Sequence, residues 1–447
     1  MPSKRFNPNR KVELPKDIAI SNIENKYLVV APEKGTYIVL DNFQIQFFDY
    51  LNEGHTLKEL LNSKHYNTDL YPKLQDLLVQ FEFRKFYESY RPNPEMRLSA
   101  RIYITNACNL RCVHCFRNSG PKEMEELHCS DWKEILLKLR ENGIRDVSIS
   151  GGEPFIFDGI YELIDYAVDL GMDVVVLSNG TKIDFEHVST LKKLKEIKLS
   201  IDGPNAKVND EIRGKGVYHK VIDTLDKLYS IGIPITISMV LFDKYFEEYK
   251  LFMEPFLNKL KNEYGHSIKI HFATGILPGR DITNYKIYSY NYYLQNFIHN
   301  ICKKVYGYEW LLQTYSDYFN LKFNTNCGYG NVLTIDQVGR IYPCNLTYYP
   351  IGDINKDAIS DVLSMLKDLN ERFSVDNLEP CSKCDLRYIC GGMCRVMNKY
   401  LCDGMDEIKC TERYVQELQR ILVEAYPFLF TTIKGGKYDG TRWNRKL

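Results

Sequence analysis

Long apolar runs, net charge and internal repeats are all missing from this sequence. No apolar run approaches the ~20 residues that a membrane span needs. The first ten residues are polar and contain two prolines, so we expect no signal peptide. Lys plus Arg and Asp plus Glu each number 58, whereas a broad nucleic-acid surface needs a basic excess. We therefore expect a cytoplasmic protein that binds neither membranes nor nucleic acid.

Cysteine is what the sequence has in quantity, with 13 in 447 residues. In a reducing compartment, such a number is more typical of metal ligands than of disulfides. The length predicts two to four domains, at ~100–200 residues each. Three blocks can be distinguished along the chain, and the cysteines concentrate in the second and third.

The first block, residues 1–93, combines a β-hairpin with small helices. Lys26–Val30 and Thr36–Leu40 are β-prone and are joined by a turn, which indicates a hairpin. Two longer helical patterns follow, and Thr56 is a candidate cap for a short helix between them. This arrangement is typical of a winged-helix-like binding module.

The second block, residues 94–320, alternates strands with helical patterns. Six such βα units predict a parallel, barrel-like sheet in an α/β fold, a partial (β/α)6 arrangement. Ligands bind at the carboxyl ends of such strands. The predicted strands are Leu98–Ile104, Asp146–Ser150, Asp173–Leu177, Glu196–Ile201, Pro234–Leu241 and Ser267–Phe272.

The third block, residues 321–447, is cysteine-dense and rich in turns. We expect its fold to depend on metal ligands rather than on a large core. A helix is predicted after the last of its motif cysteines, followed by a polar, basic tail.

A tight loop after the first barrel strand carries Cys108, Cys112 and Cys115 in the spacing CxxxCxxC. Thiolates bind cluster iron, and three of them hold three irons of a four-iron cluster while the fourth iron stays open. An open position is what chemistry needs, as at a catalytic zinc. A zinc knuckle, or a structural cluster with a distant fourth ligand, is the alternative.

This triplet resembles the radical S-adenosylmethionine (SAM) superfamily, and the resemblance covers nearly the whole second block. It implies that the open iron is chelated by SAM, and that one electron from the cluster cleaves SAM to methionine and a 5′-deoxyadenosyl radical. Cys108, Cys112 and Cys115 are then catalytic as well as metal-binding. His114 stands where the family usually has an aromatic residue near the adenine. A loop histidine without a role in binding is the alternative.

The SAM pocket is predicted from the ends of the next strands. Gly151, Gly152, Glu153 and Pro154 resemble the family's GGEP motif, which binds the amino group of methionine, and two glycines let the backbone approach a ligand closely. Positions near the ribose and carboxylate of SAM are matched by Ser178, Asn179, Ser200 and Asp202.

Two further residues complete the predicted pocket. Arg213 matches the arginine that clamps the SAM carboxylate, a role that its fork of donors suits, although a solvated arginine is the alternative. Met239 is predicted beside the adenine, although a strand residue is more often part of the core. The turn Leu277–Arg280 also resembles one that often precedes the third block in this family.

Seven cysteines of the third block match the spacing of the SPASM domain, which holds auxiliary iron–sulfur clusters. The resemblance assigns Cys381, Cys384, Cys390 and Cys410 to an outer cluster, and Cys327, Cys344 and Cys394 to an inner one. With the first cluster this makes three [4Fe–4S] clusters; zinc sites are the alternative. The inner cluster lacks a fourth ligand between its first two cysteines, so its open iron could take a substrate thiolate, unless Cys402 supplies that ligand. Cys129 and Cys302 match no motif, and we expect them to pack as buried cysteines.

The first block resembles the recognition element of peptide-modifying enzymes, similar to the pyrroloquinoline quinone chaperone fold. An exposed edge at Tyr27–Val30 and Tyr37–Leu40 would pair with a leader peptide by strand addition. A structural cap is the alternative.

Four functions are compatible with these features. The first is a peptide maturase that forms thioethers in a precursor peptide, with an electron donor of the flavodoxin or ferredoxin type. The second is a maturase with other chemistry, such as carbon–carbon cross-linking or epimerisation. The third is a sulfatase-maturase-like oxidase of Ser or Cys. The fourth is a non-enzymatic metal-binding or electron-transfer protein.

Overall fold

The strands form two separate sheets, of three and nine strands. The structure is a computed structural model that describes residues 7–92, 98–122, 125–275, 279–280, 292–308, 310, 314, 321–402 and 408–434. No helix in these ranges is both long enough and apolar enough to span a membrane. The predicted block boundaries at 93/94 and 320/321 lie at least partly outside the described residues.

The small sheet is antiparallel, with the order β1 (Ala19–Ile23), β2 (Lys26–Ala31) and β3 (Thr36–Leu40). The predicted hairpin of β2 and β3 is confirmed, whereas β1 was not predicted. A two-residue turn joins β1 to β2, and both of its residues, Glu24 and Asn25, have positive φ angles of 49° and 65°. Such turns match the natural twist of a hairpin.

Three helices follow the small sheet: α1 (Asn42–Asn52), α2 (Leu57–Leu61) and α3 (Tyr71–Arg84). The predicted cap is confirmed, because Thr56 accepts a hydrogen bond from the Glu59 amide while the Glu59 carboxylate accepts one from the Thr56 amide. This reciprocal pair satisfies two amides that a helix start would leave unbonded.

Side chains of α3 cover the outer edge of β3. The amide of Val39 donates to Gln80 Oε1 at 3.3 Å, and Arg84 Nε donates to the carbonyl of Tyr37 at 3.1 Å. All five residues of β3 are buried. The backbone groups that a further strand would need are therefore already bonded at these two positions.

The predicted peptide-binding edge is wrong in its position. Tyr27–Val30 belongs to β2, which pairs with a strand on each side, and Tyr37–Leu40 belongs to the covered strand β3. Within the described residues, β1 pairs only with β2 and forms the other edge of the sheet. Its residues alternate between exposed and half-buried.

Six strands of the large sheet, from one edge inward, are parallel and lie in chain order, with helices in the connections. All six predicted barrel strands are confirmed to within one or two residues at each end. The strands are β4 (Ser99–Tyr103), β5 (Asp146–Ser150), β6 (Asp173–Ser178), β7 (Glu196–Ser200), β8 (Ile235–Val240) and β9 (Ile268–Ala273). The connecting helices are α4 (Cys129–Glu141), α5 (Ile160–Asp169), α6 (Val188–Leu191), α7 (Ala206–Arg213), α8 (Val217–Ser230) and α9 (Phe246–Tyr264).

The two faces of this sheet differ in polarity. One face is apolar and buried, and its lateral neighbours across β4–β8 include Ile102, Ile149, Val176, Ile197 and Ile235. The opposite face carries the alternate residues, which are mostly polar. Strand ends therefore present polar side chains on a single face.

The third block extends the same sheet. Its strands are β10 (Val332–Ile335), β11 (Arg340–Tyr342) and β12 (Gly352–Asp353), and β10 pairs in parallel with β4. Leu333, Ile335 and Ile341 are fully buried in the main core. The expectation that this block depends on metal rather than on a core is wrong for these strands. The remaining helices are α10 (Tyr292–Tyr306), α11 (Ile359–Arg372), α12 (Arg387–Cys390), α13 (Arg395–Cys402) and α14 (Glu412–Lys434).

Helix α14 joins the first block to the rest of the protein. Its Tyr426 ring lies 5.5 Å from the Tyr37 ring of β3, and Gln419 Nε2 donates to Ser21 Oγ of β1 at 3.2 Å. On its other side, Glu424 pairs with Lys303 of α10. The helix predicted after the last motif cysteine is thus confirmed, and it holds the small sheet against the larger unit.

Candidate functional site

Each thiol of the cysteine loop accepts a hydrogen bond from nitrogen. Hydrogen bonds to sulfur are among the features that set the reduction potential of a cluster. The loop thus presents sulfurs that are already oriented by the protein. The three contacts are Leu110 N to Cys108 Sγ (3.4 Å), Ser119 N to Cys115 Sγ (3.3 Å) and Arg213 Nη1 to Cys112 Sγ (4.0 Å).

The environment of these thiols favours a compensating cation. Burial raises the pKa of Cys108 to about 11, and the neighbouring charges of Glu153, Cys112 and Cys115 add to the rise. Thiolates are the metal-binding form, so loading of iron must release protons here. Among the described residues, no three His, Cys, Asp or Glu side chains converge on a single metal ion. A cluster spreads its thiolates over several irons and does not need that convergence.

Glu126 anchors the start of the cysteine loop, a role that was not predicted from the sequence. Its Oε2 accepts from Thr105 Oγ1 at 2.7 Å and its Oε1 from the Asn106 amide at 2.8 Å. Thr105 Oγ1 in turn accepts from the Ala107 amide at 3.0 Å. Glu126 is buried and belongs to no motif, so the sequence carried no signal for it.

Arg280 closes the loop from the opposite side. Its backbone amide donates to the carbonyl of Cys115 at 3.2 Å, and its Nη1 donates to the carbonyl of Cys112 at 3.1 Å. The guanidinium also donates to Asn118 Oδ1 and to the carbonyl of Ser119. This gives the second half of the turn Leu277–Arg280 a role, while Leu277 and Pro278 lie outside the described residues.

The two glycines of the GGEP motif permit a close approach between two protein loops. A Cβ on Gly151 would lie 2.3 Å from the carbonyl oxygen of Thr105, and one on Gly152 would lie 2.0 Å from that of Ala107. Backbone bonds join the loops, from Gly152 N to Thr105 O at 2.7 Å and from Glu153 N to Ala107 O at 2.9 Å. The glycines are therefore required by the cysteine loop itself, in addition to any ligand.

Glu153 ties the motif to the end of β6. Fully buried, it accepts from Ser178 Oγ at 2.7 Å and from the Asn179 amide at 2.7 Å. Burial raises its pKa to about 7, although these hydrogen bonds oppose the rise. Asn179 Nδ2 also lies 3.9 Å from Cys108 Sγ, and Pro154 is buried at the start of a short turn. The structure thus brings these four residues together beside the cysteine loop.

Asp202 links two other predicted site residues. Its Oδ2 lies 2.7 Å from Arg213 Nε and 3.4 Å from His114 Nε2, and its Oδ1 accepts from the Val240 amide at 2.8 Å. Burial lowers the pKa of His114, opposed by the Asp202 charge. His114 Nδ1 is buried with no hydrogen-bond partner among the described residues. An unpaired buried nitrogen and a buried guanidinium beside Cys112 fit a polar ligand that carries a carboxylate, such as SAM.

Met239 is not brought to this side of the sheet. It is fully buried and shares the β8 face of Ile235 and Ile237. Ser200 pairs laterally with Ser238, so both belong to the opposite, polar face. The position of Met239 gives no support to a contact with adenine, whereas Ser200 has the expected orientation.

The four cysteines predicted for the outer cluster line one cavity of about 220 Å³: Cys381, Cys384, Cys390 and Cys410. Burial raises the pKa of Cys381 to about 12, with the other three thiols adding to the rise. The cavity lies between α12 and the start of α14, next to Tyr414. Its lining is otherwise largely apolar.

The inner set also converges. A hydrogen bond between the Cys327 and Cys394 thiols lowers the pKa of Cys327 to about 6 and raises that of Cys394. Burial raises the pKa of Cys344 to about 11, and the nearby Cys327 adds to the rise. The side chain of Cys402 lies outside the described residues. As predicted, Cys302 is fully buried, whereas Cys129 is only half-buried.

The inner set lies beside the first cysteine loop. Tyr348, four residues after Cys344, donates from its hydroxyl to the carbonyl of Phe116 at 2.6 Å, and the two rings are 4.4 Å apart. Tyr103 of β4 donates to the carbonyl of Asn345 at 3.1 Å. Two cysteine-bearing loops are therefore in direct contact at the carboxyl end of β4.

Replacing Glu126 with alanine is expected to loosen the cysteine loop. Two donors, the Thr105 hydroxyl and the Asn106 amide, would lose their acceptor, at about 1–3 kcal/mol for each group left unsatisfied. We expect a lower free energy of unfolding and fewer irons per chain after anaerobic reconstitution. The matched control is Glu125→Ala at the exposed neighbouring residue. Equal iron content in both variants would contradict the anchoring role.

Gly152→Ala tests the contact between the two loops. The added Cβ has no room beside the Ala107 carbonyl, and overpacking of this kind costs about 1–3 kcal/mol. Iron retention and thermal unfolding are the measurements, and both are expected to fall. Gly143→Ala is the control, because it meets no atom within 4 Å and adds only the strain of a positive φ. If the control loses as much iron, the steric argument fails.

Comparison with known proteins agrees with this geometry. Residues 102–254 match the family model described as the Radical SAM superfamily. The sporulation killing factor maturation protein SkfB of Bacillus subtilis is 28% identical over 304 residues, covering 67% of this chain and 71% of SkfB. The antilisterial bacteriocin subtilosin biosynthesis protein AlbA of the same organism is 26% identical over 314 residues, covering 66% and 67%.

A solved structure shows the same fold. Streptococcus suis SuiB bound to its precursor peptide SuiA superposes with a TM-score of 0.54 at 19% identity, covering 89% of this chain and 99% of SuiB. The match to the family model covers the cysteine loop at the end of β4 and the parallel strands β5–β8. Residues 102–254 are therefore a radical SAM domain, and the chain that carries this domain is an enzyme.

Proposed function

We propose that the chain is a peptide maturase that cross-links a ribosomally made precursor peptide by oxidation, joining cysteine sulfurs to carbons of other residues as thioethers. The names of two relatives refer to the maturation of sporulation killing factor and the biosynthesis of subtilosin. SuiB has been solved with a precursor peptide bound. These relatives support a peptide as the substrate class.

The observation that carries the proposal is the contact between the loops of Cys115 and Cys344. It supports an auxiliary cluster held by Cys327, Cys344 and Cys394 close to the first cluster. The cavity lined by the outer cysteines supports a second auxiliary cluster, for three [4Fe–4S] clusters in total. An electron acceptor next to the site of radical formation is what an oxidative reaction needs.

The residues around the loop of Cys108, Cys112 and Cys115 have distinct roles in this proposal. When bound, the cluster supplies the electron that cleaves SAM into methionine and a 5′-deoxyadenosyl radical. Arg213, held by Asp202, is placed to bind the SAM carboxylate with its remaining nitrogens. Glu153 positions the end of β6 and the motif backbone, while the Asn179 amide nitrogen points toward the cysteine loop. Buried groups of this kind exclude water from a reactive radical.

The proposed cross-link balances when one electron enters at the first cluster and one leaves through an auxiliary cluster in each turnover. The auxiliary cluster then passes its electron to an external acceptor or back to the first cluster. Joining a thiol to a carbon removes two hydrogens from the peptide. One leaves the carbon as a hydrogen atom and forms 5′-deoxyadenosine. The other leaves the thiol as a proton, and the bond releases one electron to an auxiliary cluster. A flavodoxin or ferredoxin-type donor would supply the electron that begins each turnover.

The leader of the precursor is proposed to bind along β1. Ile23 pairs with Lys26 across a two-residue turn, which makes that pair hydrogen-bonded. By alternation, the backbone groups of Asn22 and Ile20 point away from β2. An extended leader can add to these groups as a fourth strand.

The first test is anaerobic reconstitution with iron and sulfide, followed by incubation with reductant, SAM and a cysteine-containing precursor peptide encoded beside the gene. We expect 5′-deoxyadenosine and a peptide lighter by two hydrogens per link. Its linked cysteines should resist alkylation by iodoacetamide. Cys112→Ala should abolish both products, because it removes a ligand of the catalytic cluster, whereas Cys129→Ala should retain them.

The other chemistries give different outcomes in the same experiment. A carbon–carbon link gives the same mass loss but leaves every cysteine open to alkylation. Epimerisation leaves the peptide mass unchanged. Absence of 5′-deoxyadenosine from the reconstituted protein would contradict the radical SAM role itself.

Asn22→Pro tests the leader-binding edge. Proline removes the outward amide and obstructs an added strand, while the bonds from Ser21 and Ile23 to β2 are kept. Loss of two or more hydrogen bonds predicts leader affinity weaker by about tenfold, measured by fluorescence polarisation of a labelled leader. Asn22→Ala is the control, and SAM cleavage without peptide should be unchanged in both. Unchanged affinity in Asn22→Pro would exclude β1 as the binding edge.

A further inference from the structure

Arg395 is a fully buried cation whose hydrogen bonds all go to neutral groups. Its guanidinium donates to the carbonyl of Phe373 from Nε at 3.1 Å and from Nη2 at 3.0 Å. It also donates to the carbonyls of Gly391, at 3.3 Å, and Met393. None of the ion pairs formed by the described residues includes Arg395.

A charge in such a place is costly unless an anion compensates it. Buried charges in proteins are normally paired or bound to metal, because desolvation of an isolated ion costs several kcal/mol. The carbonyl dipoles offset part of this cost but carry no net charge. Among the described residues, no Asp or Glu side chain supplies this charge, so the structure points to another anion near Arg395.

The two sets of predicted cluster ligands surround this cation. Arg395 follows Cys394 in the chain, and its backbone amide donates to the Cys327 thiol of the inner set. On the other side, its guanidinium donates to the carbonyl of Gly391, the residue after Cys390, and to that of Met393, which lines the cavity of the outer set. One buried guanidinium thus faces both sets.

We infer that Arg395 is the shared countercharge of both auxiliary clusters and holds their reduction potentials high enough to accept an electron. The inference rests on the proposed function, since it assumes that the seven cysteines hold clusters. Reduction adds one negative charge to a cluster, and a fixed cation in a region of low dielectric stabilises the reduced form. Arg395 is a positioning residue in this sense and does not contact the substrate.

A purely structural role is the competing explanation. The four carbonyl bonds tie the turn at 391–393 to Phe373, and this alone would justify a buried arginine. The two roles require different properties of the Arg395 side chain. The electrostatic role needs the positive charge, whereas the structural role needs the hydrogen bonds.

The experiment is a redox titration followed by electron paramagnetic resonance. The full chain carries Cys108→Ala, Cys112→Ala and Cys115→Ala, so that only auxiliary clusters contribute signals. Arg395→Gln, which removes the charge and keeps donors, is compared with Arg395→Lys, which keeps the charge and loses the fork. Arg387→Gln is the matched control, because that arginine borders the outer set but is paired with Glu33.

The expected result is a lower midpoint potential for both clusters in Arg395→Gln, with unchanged iron content and g values. In Arg395→Lys the midpoint potentials should lie close to those of the parent chain. In the control Arg387→Gln, only the potential of the outer cluster should fall, and by less than in Arg395→Gln. If Arg395→Gln does not retain clusters, a parent-like potential in Arg395→Lys still supports the inference.

Three results would overturn it. The first is an unshifted potential in Arg395→Gln with both clusters intact. The second is an equal downward shift in Arg395→Lys and Arg395→Gln, which would assign the effect to the hydrogen bonds. The third is an iron count showing that the parent chain holds no auxiliary clusters. Only this third result would also contradict the proposed function.

Discussion

The parallel pairing of β10 with β4 is the constraint on which the arrangement of cysteines depends. Strand β4 leads directly into the loop of Cys108, Cys112 and Cys115, while β10 and β11 lead to Cys344. This pairing places β10 about 4.8 Å from β4, and β11 then runs antiparallel to β10 before Cys344. The segment after Cys344 is then joined to β4 and to the first cysteine loop by hydrogen bonds from Tyr103 to the Asn345 carbonyl and from Tyr348 to the Phe116 carbonyl. A protein backbone that fixes both cysteine loops in advance limits the reorganisation needed when an electron moves between them.

Buried charge is the second feature that organises the site. Glu153 and Asp202 are fully buried, and Arg213 is nearly so. Asp202 and Arg213 compensate each other, whereas Glu153 is held by hydrogen-bond donors, and its pKa near 7 reflects the remaining cost of burial. Most motif thiols have raised pKa values for the same reason. Iron binding and folding are therefore coupled at both cysteine regions, because thiolates form readily only when positive iron compensates them.

The sequence predicted what depends on local pattern and on motif spacing. The alternation of strand-like and helical patterns predicted the six barrel strands, and the spacing of seven cysteines predicted two sets that converge in the structure. Glu126 could not be predicted, because its role depends on a bond to residues 20 positions away and it lies in no motif. The pairing of β10 with β4 was missed for a similar reason, since nothing local to a four-residue strand specifies a partner more than 200 residues away.

Two predictions assigned residues to a surface on which the structure does not place them. Met239 was predicted beside the adenine, but its side chain follows the strand alternation that buries Ile235 and Ile237. The peptide edge was placed on β2 and β3 because β1, with Ser21 and Asn22 in five residues, has weak strand character. Alternation along β2 and β3 could not reveal that one strand is central and that the other is covered by α3.

The two edges of the small sheet differ in exposure, and this difference favours peptide binding at β1. Unprotected strand edges promote aggregation, and proteins usually cover them or keep them short. The edge at β3 is covered by Gln80 and Arg84, whereas β1 is short and held only through Ser21 Oγ by α14 among the described contacts. Because α14 begins two residues after Cys410, its position is linked to the outer cysteine set. A peptide strand on β1 would therefore lie beside an element fixed to the cluster-binding region, which gives the recognition edge a defined orientation relative to the chemistry.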